Sequence, residues 1–133
     1  MNQDALDEAG SDRDLGGPAL RTFFNIASRW VLTEGEQIKI LGLEDRFTLQ
    51  RWKAKAQFGP VPIGRDALER ISYVLGIYKA INTLLPDQHQ ADAWVRAPNA
   101  APLFSGRSAL DRMAAGNVSD LYLVRQYLDA QFL

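Results

Sequence analysis

The apolar residues of this chain recur at intervals of three and four, the spacing that places side chains on one face of an α-helix. The longest such stretch runs from Asp66 to Leu85 and carries two overlapping apolar rows. The rows contain Leu68, Ile71, Leu75 and Tyr78, and Ala67, Ile71, Val74, Tyr78, Ile81 and Leu85. Asp66 suits the positive end of the helix dipole, and Pro86 ends the helix. This pattern predicts a central helix around which other helices pack.

Shorter helices are predicted on both sides of the central helix. One spans residues 18–30, with Pro18 in its first turn, where proline is tolerated. Those that follow the central helix cover residues 88–96, 108–115 and 117–133. No segment alternates with period two, so the sequence predicts an all-α helical bundle around one long central helix.

Two short helices joined by a tight turn precede the central helix. Thr33 and Glu36 form a capping-box pattern that opens the first, and Gly42 closes it. The second covers residues 46–56 and is expected to bury three apolar side chains, those of Phe47, Leu49 and Trp52. Short helices joined by a glycine-containing turn of about three residues match the helix-turn-helix pattern.

The second of these helices carries the candidate DNA-binding residues. Polar and basic side chains lie off its apolar side, at Thr48, Gln50, Arg51, Lys53 and Lys55. Such side chains contact base edges and phosphates in DNA complexes. The alternative is a three-helix packing unit whose basic face is simply solvated. Glu44 and Asp45 count against DNA binding, because they precede the helix where the DNA backbone would approach.

The charge distribution divides the chain. Residues 1–17 hold five acidic residues and one basic residue, and we expect a disordered acidic tail there. Residues 46–65 hold five basic residues and no acidic one, a local electrostatic footprint. Two prolines and two glycines within residues 59–64 predict a linker. We therefore expect a tail at 1–17, a helix-turn-helix unit at 18–62 and a second helical unit at 63–133.

Several kinds of chemistry lack the residues they need. The chain has no cysteine and one histidine, His89 in a polar turn, so we expect no metal site and no catalytic residues. No glycine-rich phosphate loop is present, and we expect no cofactor. No apolar run approaches the roughly 20 residues of a membrane span, and no secretory leader is evident. We expect a cytoplasmic protein that is not an enzyme.

Three stretches of the C-terminal half resemble the toxin-binding domain of the Xre/MbcA/ParS antitoxin family. They are residues 68–80, 91–95 and 98–110, the last with the sequence PNAAPLFSGRSAL. The helix-turn-helix ahead of them is similar to the Xre-like N-terminal part of the same family. The resemblance implies an antitoxin of a type II system that binds a RES-domain toxin, an enzyme that consumes NAD, and blocks its active site with C-terminal helices. It also implies possible promoter binding, and a homodimer within a toxin–antitoxin hetero-oligomer.

The resemblance and the apolar chain end together suggest the toxin-binding residues. They are Phe104 and Arg107 in the loop motif, and Arg125, Tyr127, Phe132 and Leu133 near the end of the chain. Tyrosine and arginine are frequent interface anchors. The alternatives are that Arg107 ties the loop to helix ends, and that Tyr127 and Phe132 pack within the bundle. The alternative function is a stand-alone helix-turn-helix transcriptional regulator.

Overall fold

The computed structural model describes residues 3–132, with side chains described from residue 15 onward. This part of the chain forms seven α-helices and a final 3-10 turn, η1, at Ala130–Phe132. The helices are α1 (Gln3–Arg29), α2 (Glu34–Leu41), α3 (Arg46–Ala56), α4 (Arg65–Leu84), α5 (Gln88–Trp94), α6 (Ala109–Met113) and α7 (Val118–Asp129). The described residues contain one isolated β-bridge and no strand. The predicted all-α fold is confirmed.

Helix α4 is the centre of the bundle. It contacts α1, α2, α5 and α7, and its apolar positions are buried at Ala67, Ile71, Val74, Ile77, Ala80 and Ile81. Phe23 of α1 and Trp30, which directly follows α1, pack into the same core as Leu121 and Leu128 of α7. The core is therefore continuous from the N-terminal helices to the last helix. No helix among the described residues is long and apolar enough to cross a bilayer.

Helix α1 begins earlier than the sequence predicts. It starts at Gln3, within the segment expected to be a disordered tail, and Pro18 lies inside it. Gly16 and Gly17 are buried, and a Cβ on Gly16 would collide with the Val61 carbonyl oxygen. The start at Pro18 is wrong because these glycines let the 59–63 segment pack against the helix, a contact between segments that are distant in sequence. Residues 1 and 2 of the expected tail lie outside the described residues.

The 59–64 segment is non-helical, as its prolines and glycines predict, but it is not a loose spacer. Val61 and Ile63 are buried in the core. The Arg21 guanidinium also donates to the Ala56 carbonyl at 2.7 Å, which attaches the end of α3 to α1. Helix α3 is therefore attached to α1, and the segment that follows it is packed into the core. The division of the chain into two units at residue 62 stays a prediction.

Candidate functional site

The turn between α2 and α3 has helix-turn-helix geometry. The Glu36 amide donates to Thr33 Oγ1 at 3.1 Å and the Thr33 amide donates to Glu36 Oε1 at 2.8 Å, so the predicted capping box is formed. Gly42 ends α2 with φ at 73°, a left-handed conformation that glycine adopts without strain. Asp45 caps α3 by accepting from the Thr48 amide at 2.8 Å. The two helices are thus begun and ended by local hydrogen bonds.

Helix α3 buries one side and exposes the other. Leu49 and Ala56 are buried and Trp52 is half-buried, but Phe47 is 70% exposed. The predicted burial of Phe47 is wrong because two residues along a helix correspond to a rotation of about 200°, which places Phe47 opposite Leu49. Phe47 therefore lies on the outer side of α3, a position that an apolar residue type alone does not reveal.

Four of the five predicted DNA-binding residues are exposed on α3, at Gln50, Arg51, Lys53 and Lys55, while Thr48 is half-buried. Gln50 lies at the centre of the outer face and its Nε2 donates to Glu34 Oε2 at 3.2 Å. Arg51 lies beside it and donates to Thr48 Oγ1 at 3.4 Å. The Lys53 ammonium lies 5.8 Å from the centre of the Phe24 ring, on one flank of this face. Gln50 and Arg51 thus share the outer face of α3, whereas Lys53 and Lys55 lie about 200° apart around the helix. Contact of these side chains with DNA stays a prediction.

Asp45 places a negative charge at the start of this surface. The hydrogen bond from the Thr48 amide holds the pKa of the Asp45 carboxyl below its ordinary value, so the group stays ionised at neutral pH. The carboxylate faces the N-terminal amides of α3, where the helix dipole favours it. The acidic residue at this position is therefore accounted for by its role as the N-cap of α3.

Replacing Asp45 with asparagine separates these two roles. Asparagine caps helices about as well as aspartate, so the free energy of unfolding should change little. Removing one negative charge near phosphates should strengthen promoter binding by about fivefold at low salt, because such a pair is worth about 1 kcal/mol in water. Gel shift at several salt concentrations measures this effect. Asp87→Asn is the matched control, since Asp87 caps α5 in the same way, and equal affinities for both variants would contradict the prediction.

The second candidate surface lies along the C-terminal part of α7. Leu121, Val124 and Leu128 face the core, as their spacing predicts. On one side lies an α4–α7 groove of about 540 Å³, whose lining includes Leu75, Lys79, Thr83, Arg125, Asp129 and Phe132. On the other lies an α5–α7 groove of about 340 Å³, whose lining includes Leu84, Leu85, Trp94, Tyr127, Leu128 and Gln131. Helix α7 is therefore a ridge between two concave surfaces.

The structure brings three of the predicted toxin-binding residues to this ridge. Arg125 lies over Gly76 of α4 and pairs with Asp129, with 3.0 Å between Nε and the nearer carboxylate oxygen. Phe132 is half exposed beside it. Tyr127 lines the other groove and is partly buried. Leu133 lies outside the described residues.

Phe104 and Arg107 lie elsewhere. Phe104 is 3% exposed, and its ring packs edge-on against Tyr127 at 5.1 Å and Trp94 at 6.0 Å. It therefore supports the α5–α7 groove from beneath, and the expectation that Phe104 contacts a toxin is corrected on grounds of burial. Arg107 is exposed outside both grooves, where its guanidinium lies 3.7 Å from Asp111 of the next helix. This contact favours the alternative in which Arg107 ties the loop to a helix end.

Sequence reasoning missed Tyr122 and Lys79. Tyr122 is 46% exposed and packs edge-on against Tyr73 of α4 at 5.9 Å. The spacing of residues 122, 125, 126 and 129, opposite the apolar stripe of α7, is a signal that could have revealed Tyr122. Lys79 is on α4, and only the packing of α4 against α7 brings it to the same groove as Arg125.

Two arginines from the C-terminal half hold the two ends of α2. Arg70 of α4 donates to the Lys39 carbonyl at 3.4 Å and to the Gly116 carbonyl at 3.2 Å. Arg96 follows α5 and donates to the Trp30 and Val31 carbonyls at 3.1 and 2.6 Å. Its guanidinium is also 3.3 Å from Glu36, a member of the capping box. The helix-turn-helix is therefore tied to the helices that form the second surface.

The described side chains do not favour a metal centre. Among residues 15–132, no three histidine, aspartate or glutamate side chains gather closely enough to hold a metal ion. The two surfaces instead combine exposed aromatic rings with charged groups, the side chains that contact macromolecules.

Two family models match the chain, one over the helix-turn-helix and the other over the helices that include α7. The antitoxin Xre-like helix-turn-helix domain matches residues 10–76, and the antitoxin Xre/MbcA/ParS C-terminal toxin-binding domain matches residues 81–132. The chain is therefore an antitoxin of a toxin–antitoxin system, with a helix-turn-helix domain and a toxin-binding domain. It belongs to the Xre/MbcA/ParS antitoxin family, and the resemblance seen in the sequence is confirmed. Both models describe antitoxin domains, and neither describes an enzyme.

One relative is similar along most of its length. It is the uncharacterized protein y4oB of Sinorhizobium fredii (strain NBRC 101917 / NGR234), 47% identical over 112 residues. The aligned part covers 84% of this chain and 82% of the relative. The similarity therefore extends over both domains.

Proposed function

We propose that the chain neutralises a RES-domain toxin, an NAD-consuming enzyme, by covering the toxin's active site with its C-terminal helices. The observation that carries the proposal is that the toxin-binding domain, residues 81–132, contains the α7 ridge and the residues that line the α5–α7 groove. The ridge offers a convex surface that a concave enzyme site would accept. The α4 residues that complete both grooves attach this surface to the helix-turn-helix domain.

The chemistry of the ridge supports a protein partner. Tyr122 and Phe132 offer exposed aromatic rings, the kind of side chain that anchors protein interfaces. Arg125 is preorganised by Asp129 and by its position over Gly76, so little side-chain entropy remains to be lost on binding. Lys79 adds a second cation to the α4–α7 groove. An acidic or polar rim on the toxin would complement this groove.

The direct test is an NAD-consumption assay with the toxin encoded by the neighbouring gene. The purified chain should abolish NAD loss when it is equimolar with the toxin, and the two should co-elute as a hetero-oligomer. A chain that binds the toxin without slowing NAD consumption would contradict active-site blocking. A neighbouring gene product that lacks NAD-consuming activity would contradict the RES assignment while leaving the antitoxin family unchanged.

We also propose that the chain binds its own promoter through α3, as a homodimer within the toxin–antitoxin complex. The exposed basic side of α3 favours this role, and its helix-turn-helix placement is that of a DNA-contacting helix. Binding should weaken steeply as salt rises, because phosphate contacts release counterions. Light scattering should give the mass of two chains. Promoter binding combined with no effect on the toxin would instead support the stand-alone regulator.

A further inference from the structure

Phe47 is the apolar member of an otherwise polar helix surface. The centre of the outer side of α3 is formed by residues spaced three and four apart, at Phe47, Gln50, Arg51 and Ala54, and all four are exposed. The Phe47 ring is 70% exposed, and the Arg46 guanidinium lies 5.9 Å from its centre. An exposed phenylalanine in the first turn of α3 adds little to the core, so its placement calls for a partner outside the chain.

The surroundings of Phe47 indicate the chemistry of that partner. Helix α3 contains four cationic residues, Arg46, Arg51, Lys53 and Lys55, and no acidic one. Such a helix complements phosphates better than it complements an apolar protein surface. In helix-turn-helix complexes, the N-terminal residues of the second helix lie against base edges in the major groove. Phe47 occupies that part of α3.

We propose that Phe47 contributes sequence specificity by packing against the C5-methyl group of thymine in the major groove. This inference rests on the proposed promoter binding. A phenyl ring donates and accepts no conventional hydrogen bond, and the thymine methyl is the apolar group that the major groove presents. Gln50 and Arg51, beside it on the same face, supply the polar and cationic contacts to adenine, guanine or phosphate. Phe47 thus adds thymine recognition to a face that binds DNA largely through charge.

Uracil substitution tests this contact, because uracil lacks only the methyl group. The DNA upstream of the operon is amplified with thymidine or with deoxyuridine triphosphate, and affinities for the two fragments are measured by gel shift. The unaltered chain should bind the thymine fragment about four- to fifteenfold more tightly, as expected for the loss of one or two methyl contacts. Phe47→Ala should bind both fragments equally, with the affinity that the unaltered chain shows for the uracil fragment.

Three control variants make the result specific. Phe58→Ala removes another exposed phenylalanine, 87% exposed beyond the C-terminal end of α3, and should keep the thymine preference. Phe47→Leu keeps an apolar side chain and should therefore keep part of the thymine preference. Arg51→Ala should weaken binding to both fragments and leave their ratio unchanged, if Arg51 contacts phosphate.

The outcomes separate this inference from the function on which it rests. If the unaltered chain binds neither fragment at low salt, promoter binding fails and the role of Phe47 fails with it. If it binds both fragments equally, or if Phe47→Ala keeps the preference, DNA binding stands and the thymine contact is wrong. If Phe47→Ala instead lowers the mass of the DNA-free protein from two chains to one, while the preference for thymine survives, Phe47 belongs to a contact between proteins. The inference is then overturned.

Discussion

Replacing Arg70 with alanine should lower the free energy of unfolding by about 3 kcal/mol, the cost expected when a buried charged network loses its donor. The Arg70 side chain is only 10% exposed, and its guanidinium donates to carbonyls of α2 and of the segment before α7. The Lys39 carbonyl lies in the last turn of α2 and the Gly116 carbonyl lies between α6 and α7, and each loses the Arg70 donor when the guanidinium is removed. The pair with Asp66 at 2.9 Å adds less, because Asp66 is largely exposed.

Urea unfolding followed by fluorescence of the buried Trp30 measures this effect. The free energy of unfolding of Arg70→Lys should fall between those of the unaltered chain and Arg70→Ala. An ammonium keeps the charge but cannot donate to two carbonyls in the planar geometry of a guanidinium. Arg51→Ala is the matched control, because Arg51 is exposed and its removal should change stability by no more than about 0.5 kcal/mol. A loss of under 1 kcal/mol for Arg70→Ala would show that Arg70 does not hold α2 in place.

Deleting residues 130–133 should weaken toxin inhibition by about 30-fold or more, while the fold is kept. The described part of this segment, Ala130–Phe132, is exposed, so its removal should not disturb the core. Loss of Phe132 removes an aromatic side chain that lines the α4–α7 groove, and an aromatic anchor is commonly worth at least about 2 kcal/mol at an interface. The readout is the concentration of chain that halves NAD consumption by the proposed toxin.

The position of the deletion decides whether the result can be interpreted. A deletion from residue 126 would also remove Leu128, which is buried, and would destabilise the bundle whatever the toxin requires. Phe132→Ala tests the same surface by one side chain, and Phe58→Ala is its matched control, since Phe58 is an exposed phenylalanine outside both grooves. Full inhibition by the shortened chain would show that the chain end is not a toxin contact.

The helices themselves were predictable because the signals that form them are local. The capping box of Thr33 and Glu36, the left-handed Gly42 and the bounds of α3 agree with the structure. Each depends on residues within one or two turns of each other, so the sequence contains the whole interaction. The α4 stripe is equally local, and a wide apolar stripe on a long helix predicts a core position.

The errors share a different cause. Phe47 was expected in the core because it is apolar, but its angular position relative to Leu49 directs it outward. Phe104 was expected to contact a toxin because it belongs to the loop motif of the family resemblance, but its ring is buried and packs against Trp94 and Tyr127. The start of α1 was misplaced because the buried contact between Gly16 and Val61 joins distant segments. Residue type and local composition do not report such contacts.

By itself, the sequence determined that this protein is all-α, where most of its helices begin and end, and which helix lies at its centre. It also carried the family resemblance, because the motif residues are contiguous. Only the tertiary structure decided that Arg70 and Arg96 hold the two ends of α2, and that Lys79 and Arg125 share a groove. The physical reason is that each of these features depends on the relative position of helices, which is set by long-range packing in one continuous core.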